Sequence, residues 1–216
     1  MMGISFSAMA DEVYEAGETI YYNILQMGLK VGEATLNYVG PQSYNGQDVV
    51  LIIFSAKGFN FYDEERIYLT PDSLKPVEIL RDLNIFGHKE KIQEQYLPNQ
   101  IKVTKTEGSK ASEQIIDKKG DIDNIYAFIY RYRQSGDFKI NDLLDIHLPT
   151  TDVKIKLTKE TVIAAGGKKY KSYYMESDPA KYKLWFDASD SKLPLRISGS
   201  VGVANTSMVM TKYENN

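Results

Sequence analysis

Residues 33–56 read EATLNYVGPQSYNGQDVVLIIFSA, and this stretch decides the fold. Apolar and polar residues alternate over 33–39, which is typical of a strand with one buried face. Asn45-Gly46 is a strong signal for a two-residue hairpin turn. The segment 48–56 that follows is apolar on both faces, which favours a strand near the centre of a sheet. The stretch therefore predicts antiparallel strands joined by a tight turn.

Similar alternation recurs along most of the chain, in short stretches separated by Gly, Pro, Asn and Asp. No linker-like run and no fixed-period repeat divides it. We predict a mainly β protein with a single domain over residues 11–213 and a loose tail over 214–216. The domain is expected to be one curved antiparallel sheet or partial barrel with one short helix packed on its concave face. Local pattern leaves open whether the sheet closes.

One segment, at about residues 121–134, has the periodicity of a helix instead. Its large apolar residues recur at i, i+3, i+4, i+7 and i+8, so they form one stripe. Asp121 or Asp123 can cap the N-terminus, and Gly136 can end the helix. The residues of the stripe are Ile122, Ile125, Tyr126, Ile129 and Tyr130.

The composition narrows the classes of partner and site. The chain has 216 residues, mixed charges with a net charge of −3, and no cysteine. Nucleic acid is not an expected partner, because binding phosphates requires a clustered basic surface. The lack of cysteine excludes disulfides, thiolate metal sites and a cysteine nucleophile. No metal site and no cofactor is expected.

The N-terminal residues 1–10 are small and apolar, and they end abruptly at Asp11-Glu12. Ala8-Met9-Ala10 has the A-x-A form of a signal-peptidase site. We predict that residues 1–10 are the remnant of a secretory signal peptide, which places the protein in the periplasm or otherwise outside the inner membrane. The alternative is an ordinary disordered start. No segment predicts a transmembrane helix.

Five segments carry a resemblance to a known family. They are GETIYYNI at 17–24, GLKVGEATL at 28–36, YDEERIYLTPDSLKP at 62–76, DIDNIYAFIYR at 121–131 and KLWFDASDSKLPLRISGSV at 183–201. With them the chain resembles, from about residue 11 to residue 213, the bacterial exported family known as domain of unknown function 3108. The resemblance implies a β-rich fold in the cell envelope, similar to the half-barrel of lipoprotein carriers. It implies no catalytic residue.

Several polar groups could carry chemistry, but their sequence context favours a structural role. His88 and His147 are the candidate general bases, but no G-x-S-x-G elbow accompanies them. The carboxylate groups Asp63-Glu64-Glu65 and Asp187/Asp190 are expected at turns, where Asp bonds its own backbone. The segment 166–168, Gly-Gly-Lys, predicts a hairpin turn, because a phosphate loop needs a following helix.

The aromatic residues are the most informative group for function. If the sheet curves around the helix, some of them line an apolar cavity that suits a lipid or acyl chain. The alternative is that they simply fill the core. The candidate ligand-binding residues are Phe54, Phe59, Phe61, Tyr126, Phe128, Tyr130, Arg131 and Trp185.

Three functions remain open on the sequence. The first is a non-enzymatic envelope protein that binds an apolar or amphipathic small molecule, whose polar head meets Tyr hydroxyls and Arg131 or Arg133. The second is a module that docks on an envelope protein through an exposed sheet edge. The third is a hydrolase that uses His88 or His147. The sequence favours the first.

Overall fold

The computed structural model describes residues 13–118, 120–135, 138–199 and 206–215. These residues form one helix and fourteen strands. The helix is α1 (Ile125–Ser135). The strands are β1 (Glu18–Gln26), β2 (Leu29–Tyr44), β3 (Gln47–Gly58), β4 (Phe61–Leu69), β5 (Pro76–Ile85), β6 (His88–Leu97), β7 (Gln100–Glu107), β8 (Lys110–Asp117), β9 (Leu143–Leu148), β10 (Thr151–Ala165), β11 (Lys168–Asp178), β12 (Lys183–Asp187), β13 (Pro194–Ser198) and β14 (Thr206–Glu214).

All fourteen strands belong to one antiparallel sheet with the order β8-β7-β6-β5-β4-β3-β2-β1-β14-β13-β12-β11-β10-β9. Two meanders, β1–β8 and β9–β14, therefore meet where β1 pairs with β14. Within the described residues β8 and β9 are the two edges, so the sheet does not close into a barrel. The predicted fold class is confirmed, and the question of closure is answered.

The segment between β8 and α1 connects the two ends of the sheet. The Lys118 ammonium contacts the Asp152 carboxylate at 2.7 Å, at the start of β10. The backbone N–H of Asp123 donates to the carbonyl of His147 on β9 at 2.7 Å. These contacts hold the edge strands near each other, which curves the sheet around the helix.

The helix begins later than predicted. Asn124 is its N-cap, because the Asn124 side-chain oxygen accepts hydrogen bonds from the N–H groups of Tyr126 and Ala127 at 2.8 and 3.3 Å. The predicted cap Asp123 instead forms an ion pair with Arg131, and Asp121 is exposed. The predicted terminator Gly136 lies outside the described residues.

The core lies between α1 and the concave face of the sheet. The helix is buried on more than the predicted stripe, since Phe128, Tyr132 and Arg133 are also buried. The ring of Tyr126 stacks on Phe54 of β3 with 4.4 Å between centroids. A smaller cluster of Ile101, Val103 and Ile122 lies beside the main core.

The structure corrects two expectations about segments and confirms one, and a fourth lies outside the described residues. The carboxylates Asp63 and Glu65 lie inside β4, not at a turn. Asp187 does have the predicted turn chemistry, because its carboxylate accepts from the N–H and hydroxyl of Ser189. Glu214 ends β14 and accepts a hydrogen bond from the Tyr21 hydroxyl at 2.6 Å, so the strand continues past residue 213. The predicted signal remnant 1–10 lies outside the described residues.

Candidate functional site

The eight predicted ligand-binding residues do not form one site. Phe54 and Tyr130 are buried in the core, where the Tyr130 ring packs against Tyr14 and Tyr38 at 4.9 and 5.4 Å. Trp185 lies on the opposite face, because it alternates along β12 with the buried Leu184 and Phe186. The pleat of a strand thus separates it from the helix.

Phe59 and Phe61 are close in sequence but differ in environment. Phe59 stands at the β3–β4 turn and is almost wholly exposed. Phe61 packs over Gly32 and Gly58, where a Cβ atom would approach its ring to 2.8 and 2.1 Å. These glycines are therefore required for the close approach of Phe61, and Phe61 acts as packing rather than as a pocket wall.

Phe128 and Arg131 do line a cavity, which we call the helix groove. It lies between α1 and the edge strand β9 and has a volume of about 430 Å³. Its apolar wall includes Leu143, Leu144 and Ile146 of β9. The full lining is Lys75, Phe128, Arg131, Tyr132, Ser135, Leu143, Leu144, Asp145 and Ile146.

The two cations of the helix groove are held differently. Arg131 pairs with both oxygens of the Asp123 carboxylate and donates to the Leu74 carbonyl at 3.3 Å. Lys75 makes a looser contact of 3.6 Å with Asp121, which is exposed. Since a solvent-exposed pair stabilises little, Lys75 can turn to another anion at low cost.

Tyr126 lines a second cavity at the start of α1, which we call the carboxyl pocket. Its volume is ≈ 180 Å³. It lies between the concave side of β4–β6, the helix N-terminus and the β9–β10 turn. The full lining is Glu65, Ile79, Arg81, Glu94, Asn124, Ile125, Tyr126, Leu148, Pro149, Thr150 and Tyr182.

Charges in the carboxyl pocket are unevenly matched. The Arg81 guanidinium forms a two-point pair with Asp63 at 2.7 and 2.5 Å and reaches Glu65 at 3.5 Å. Burial raises the pKa of Glu65 to about 7, although Arg81 opposes the shift. Burial also raises the pKa of Glu94, against a hydrogen bond from the Tyr96 hydroxyl at 2.8 Å. The Glu65 carboxyl therefore keeps its proton up to about neutral pH.

Sequence reasoning missed the carboxyl pocket, although a signal was present. Alternation over β4 places Asp63 and Glu65 on the same face as Ile67 and Leu69. Glu65 pairs in register with the core residue Phe54. The period of the strand, rather than the turn preference of Asp, predicts the correct position.

The structure gives no support to the hydrolase alternative. His88 is exposed at the start of β6. His147 lies 3.2 Å from the Asp152 carboxylate, but the His147 side chain is only half-buried and that of Asp152 is exposed. Among the described residues no serine hydroxyl bonds to either histidine, so the third member of a triad is missing there. Within those residues no group of three or more His, Asp or Glu side chains is arranged to hold a metal ion.

Comparison of the chain with protein-family models, curated proteins and solved structures finds no match. The resemblance to the exported family therefore stays a prediction. The one helix that the described residues form is too short to cross a membrane.

Proposed function

We propose that the protein binds a small amphipathic molecule with an anionic head in the helix groove. The observation that supports this is the composition of its wall. Apolar side chains of α1 and β9 line a space that also contains the cations Lys75 and Arg131. Ligand sites are typically apolar clefts with a few placed polar groups, and this groove has both parts.

The energetics favour an alkyl chain as the apolar part. Each methylene that leaves water contributes about 0.8 kcal/mol. The exposed side chain of Leu143 loses its own contact with water at the same time. Lys75 supplies the charge for the head, because the Arg131 guanidinium is engaged by Asp123.

Calorimetry with two surfactants of matched chain length tests the proposal. Dodecanoate is expected to bind at least about tenfold more tightly than dodecyltrimethylammonium, since only the anion can pair with Lys75. Lys75→Glu should abolish that preference, and Leu143→Asp should weaken both ligands. Lys171→Glu, on an exposed position of β11, is the matched control. Equal binding of the two surfactants, or binding untouched by both groove variants, would refute the proposal.

The docking alternative is less well supported. Strand β8 leaves one edge unpaired within the described sheet and exposes Ile115. It also carries Lys110, Glu113 and Asp117. Charged side chains on an edge strand discourage pairing with another strand. The proposed envelope location rests on the N-terminal sequence and on the resemblance to the exported family.

A further inference from the structure

The hairpin turns that connect β1–β8 lie alternately at two opposite rims of the sheet. Because the meander is antiparallel, every second turn falls on the same rim. One rim has the two-residue turns 27–28, 59–60, 86–87 and 108–109, and we call it the apolar rim. The other has the turns 45–46, 71–73 and 98–99, and we call it the polar rim.

The apolar rim exposes large side chains to an unusual degree. Met27, Leu29, Phe59 and Phe86 are 93%, 72%, 95% and 74% exposed. No other large hydrophobic residue among the described ones is as exposed, the next being Ile115 at 61%. Single exposed apolar residues are normal, but a row of them along one rim indicates an interaction surface.

The backbone conformation of the turns allows the residues of the two rims to be compared directly. Met27 and Phe86 have φ values of 50° and 52°, and each precedes a glycine with positive φ. Asn45 has φ 51° at the equivalent position of the polar rim. Asn tolerates this left-handed conformation, whereas Met and Phe adopt it at a cost. The apolar rim thus carries side chains that neither the turn nor the core favours.

Charge also differs between the rims. Within two residues of the apolar-rim turns are four exposed lysines, Lys30, Lys57, Lys89 and Lys110, and one acid, Glu107. The corresponding positions and turns of the polar rim contain two acids and one lysine, Asp48, Asp72 and Lys75. Lys30 also pairs with Glu33 at 2.7 Å, but both side chains are exposed, so the pair contributes little. A rim with this excess of lysines, on a chain of net charge −3, favours an anionic partner.

We propose that the apolar rim docks on the surface of a lipid bilayer that contains anionic lipids. Neighbouring tips are two strands apart, or about 10 Å, so each apolar side chain stands alone and the tips do not form a continuous patch. Separate tips between lysines suit insertion between lipid head groups, with the lysines at the charged surface. The inference does not depend on the helix groove.

Co-sedimentation with phosphatidylcholine vesicles, with and without phosphatidylglycerol, tests this proposal. The unchanged protein should bind the anionic vesicles more tightly. The triple variant Met27→Asn, Phe59→Asn, Phe86→Asn should lose binding by about 1,000-fold or more, because each of the three buried side chains contributes at least about tenfold. It should still fold, since Asn45 already occupies the turn conformation of Met27 and Phe86, and Phe59 is almost wholly exposed.

Two further measurements decide between outcomes. The double variant Ile115→Asn, Val162→Asn removes exposed apolar residues away from the rim, and it should bind as the unchanged protein does. Phe59→Trp should show a blue-shifted emission on vesicles, against the constant background of Trp185. Undiminished binding by the triple variant, or an unshifted Phe59→Trp, would overturn the proposal. Self-association that is lost in the triple variant, without vesicle binding, would show that the rim serves a second copy instead.

Discussion

Arg133 and Arg81 both meet carboxylates on the inner side of the sheet, and the two arrangements differ in stoichiometry. Arg133 of α1 pairs with Glu18 of β1 at 2.6 and 2.9 Å, and both side chains are 0% exposed. Arg81 of β5 is shared by Asp63 and Glu65 and borders the carboxyl pocket. The first cluster is balanced and closed, and the second has a surplus carboxyl beside open space.

The balanced cluster ties the helix to the sheet. The Arg133 guanidinium lies 5.1 and 5.2 Å from the ring centroids of Tyr14 and Tyr130, and it donates to the Ser191 carbonyl at 3.2 Å. Burial of the two charges is tolerated because Arg133 and Glu18 pair with each other. Glu65, the surplus carboxyl of the other cluster, has no cation to itself. Burial therefore raises its pKa, because the neutral form avoids the cost of a buried charge without a full partner. Stoichiometry therefore separates a structural pair from a site that can exchange a proton.

Arg133→Met should give the largest effect, a loss of about 3–5 kcal/mol in the free energy of unfolding. The variant leaves the Glu18 carboxylate buried without its partner. Urea unfolding followed by circular dichroism measures the loss. The double variant Glu18→Gln, Arg133→Met should recover part of it. A loss below about 1 kcal/mol would mean that the balanced pair does not hold the helix.

Glu65→Gln should stabilise the protein at neutral and alkaline pH but not at acid pH. The folded pKa of Glu65 is about 7 and exceeds its usual 4.5, so the folded state binds the proton more tightly. The unchanged protein therefore loses stability as pH rises from about 4.5 to 7, and the loss is complete above 7. The variant should match it near pH 4 and exceed it by up to about 3 kcal/mol at pH 8. Parallel pH profiles for the two proteins would contradict the surplus-carboxyl interpretation.

Asp63→Asn tests the sharing of Arg81 directly. Without the Asp63 carboxylate the guanidinium can pair with Glu65 alone, which lowers the pKa of Glu65. The loss of stability between pH 4.5 and 7 should shrink by about 1–2 kcal/mol and move to lower pH. The measurement is the same urea series, with Asp82→Asn on the exposed face as the control. An unmoved profile would show that Arg81 does not limit the ionisation of Glu65.

Much of the fold could be predicted because its signals are local. Asn45-Gly46 and the alternation around it predict a hairpin, and β2 and β3 pair across that turn. The periodicity predicts the start of the helix to within four residues. It favours Asp121 or Asp123 as the cap, whereas the structure has Asn124 there. Three residues that can cap a helix, Asp121, Asp123 and Asn124, stand within four positions, and only tertiary contacts such as Asp123–Arg131 select among them.

The candidate sites could be predicted only in part. The helix periodicity and aromatic content point to Phe128 and Arg131, but nothing in the sequence points to their groove partners Lys75, Leu143 and Leu144. The helix groove exists because α1 lies beside β9, and the sequence between them does not encode that position. The Glu18–Arg133 pair spans 115 positions, so no periodic pattern connects its members.

Tyr22→Phe should give the smallest effect and shows whether the balanced cluster is insensitive to pH. The Tyr22 hydroxyl is buried close enough to Arg133 and Glu18 to interact with their charges, and it donates to the Pro194 carbonyl at 2.9 Å. Its removal should cost about 1 kcal/mol, because one buried acceptor loses its donor. Burial raises the pKa of Tyr22 well above its ordinary value, so the hydroxyl stays protonated. The cost should therefore be the same from pH 5 to pH 9, whereas the stabilisation by Glu65→Gln varies across this range. A pH-dependent cost would mean that the balanced cluster also exchanges a proton, and the distinction between the two arginine clusters would fail.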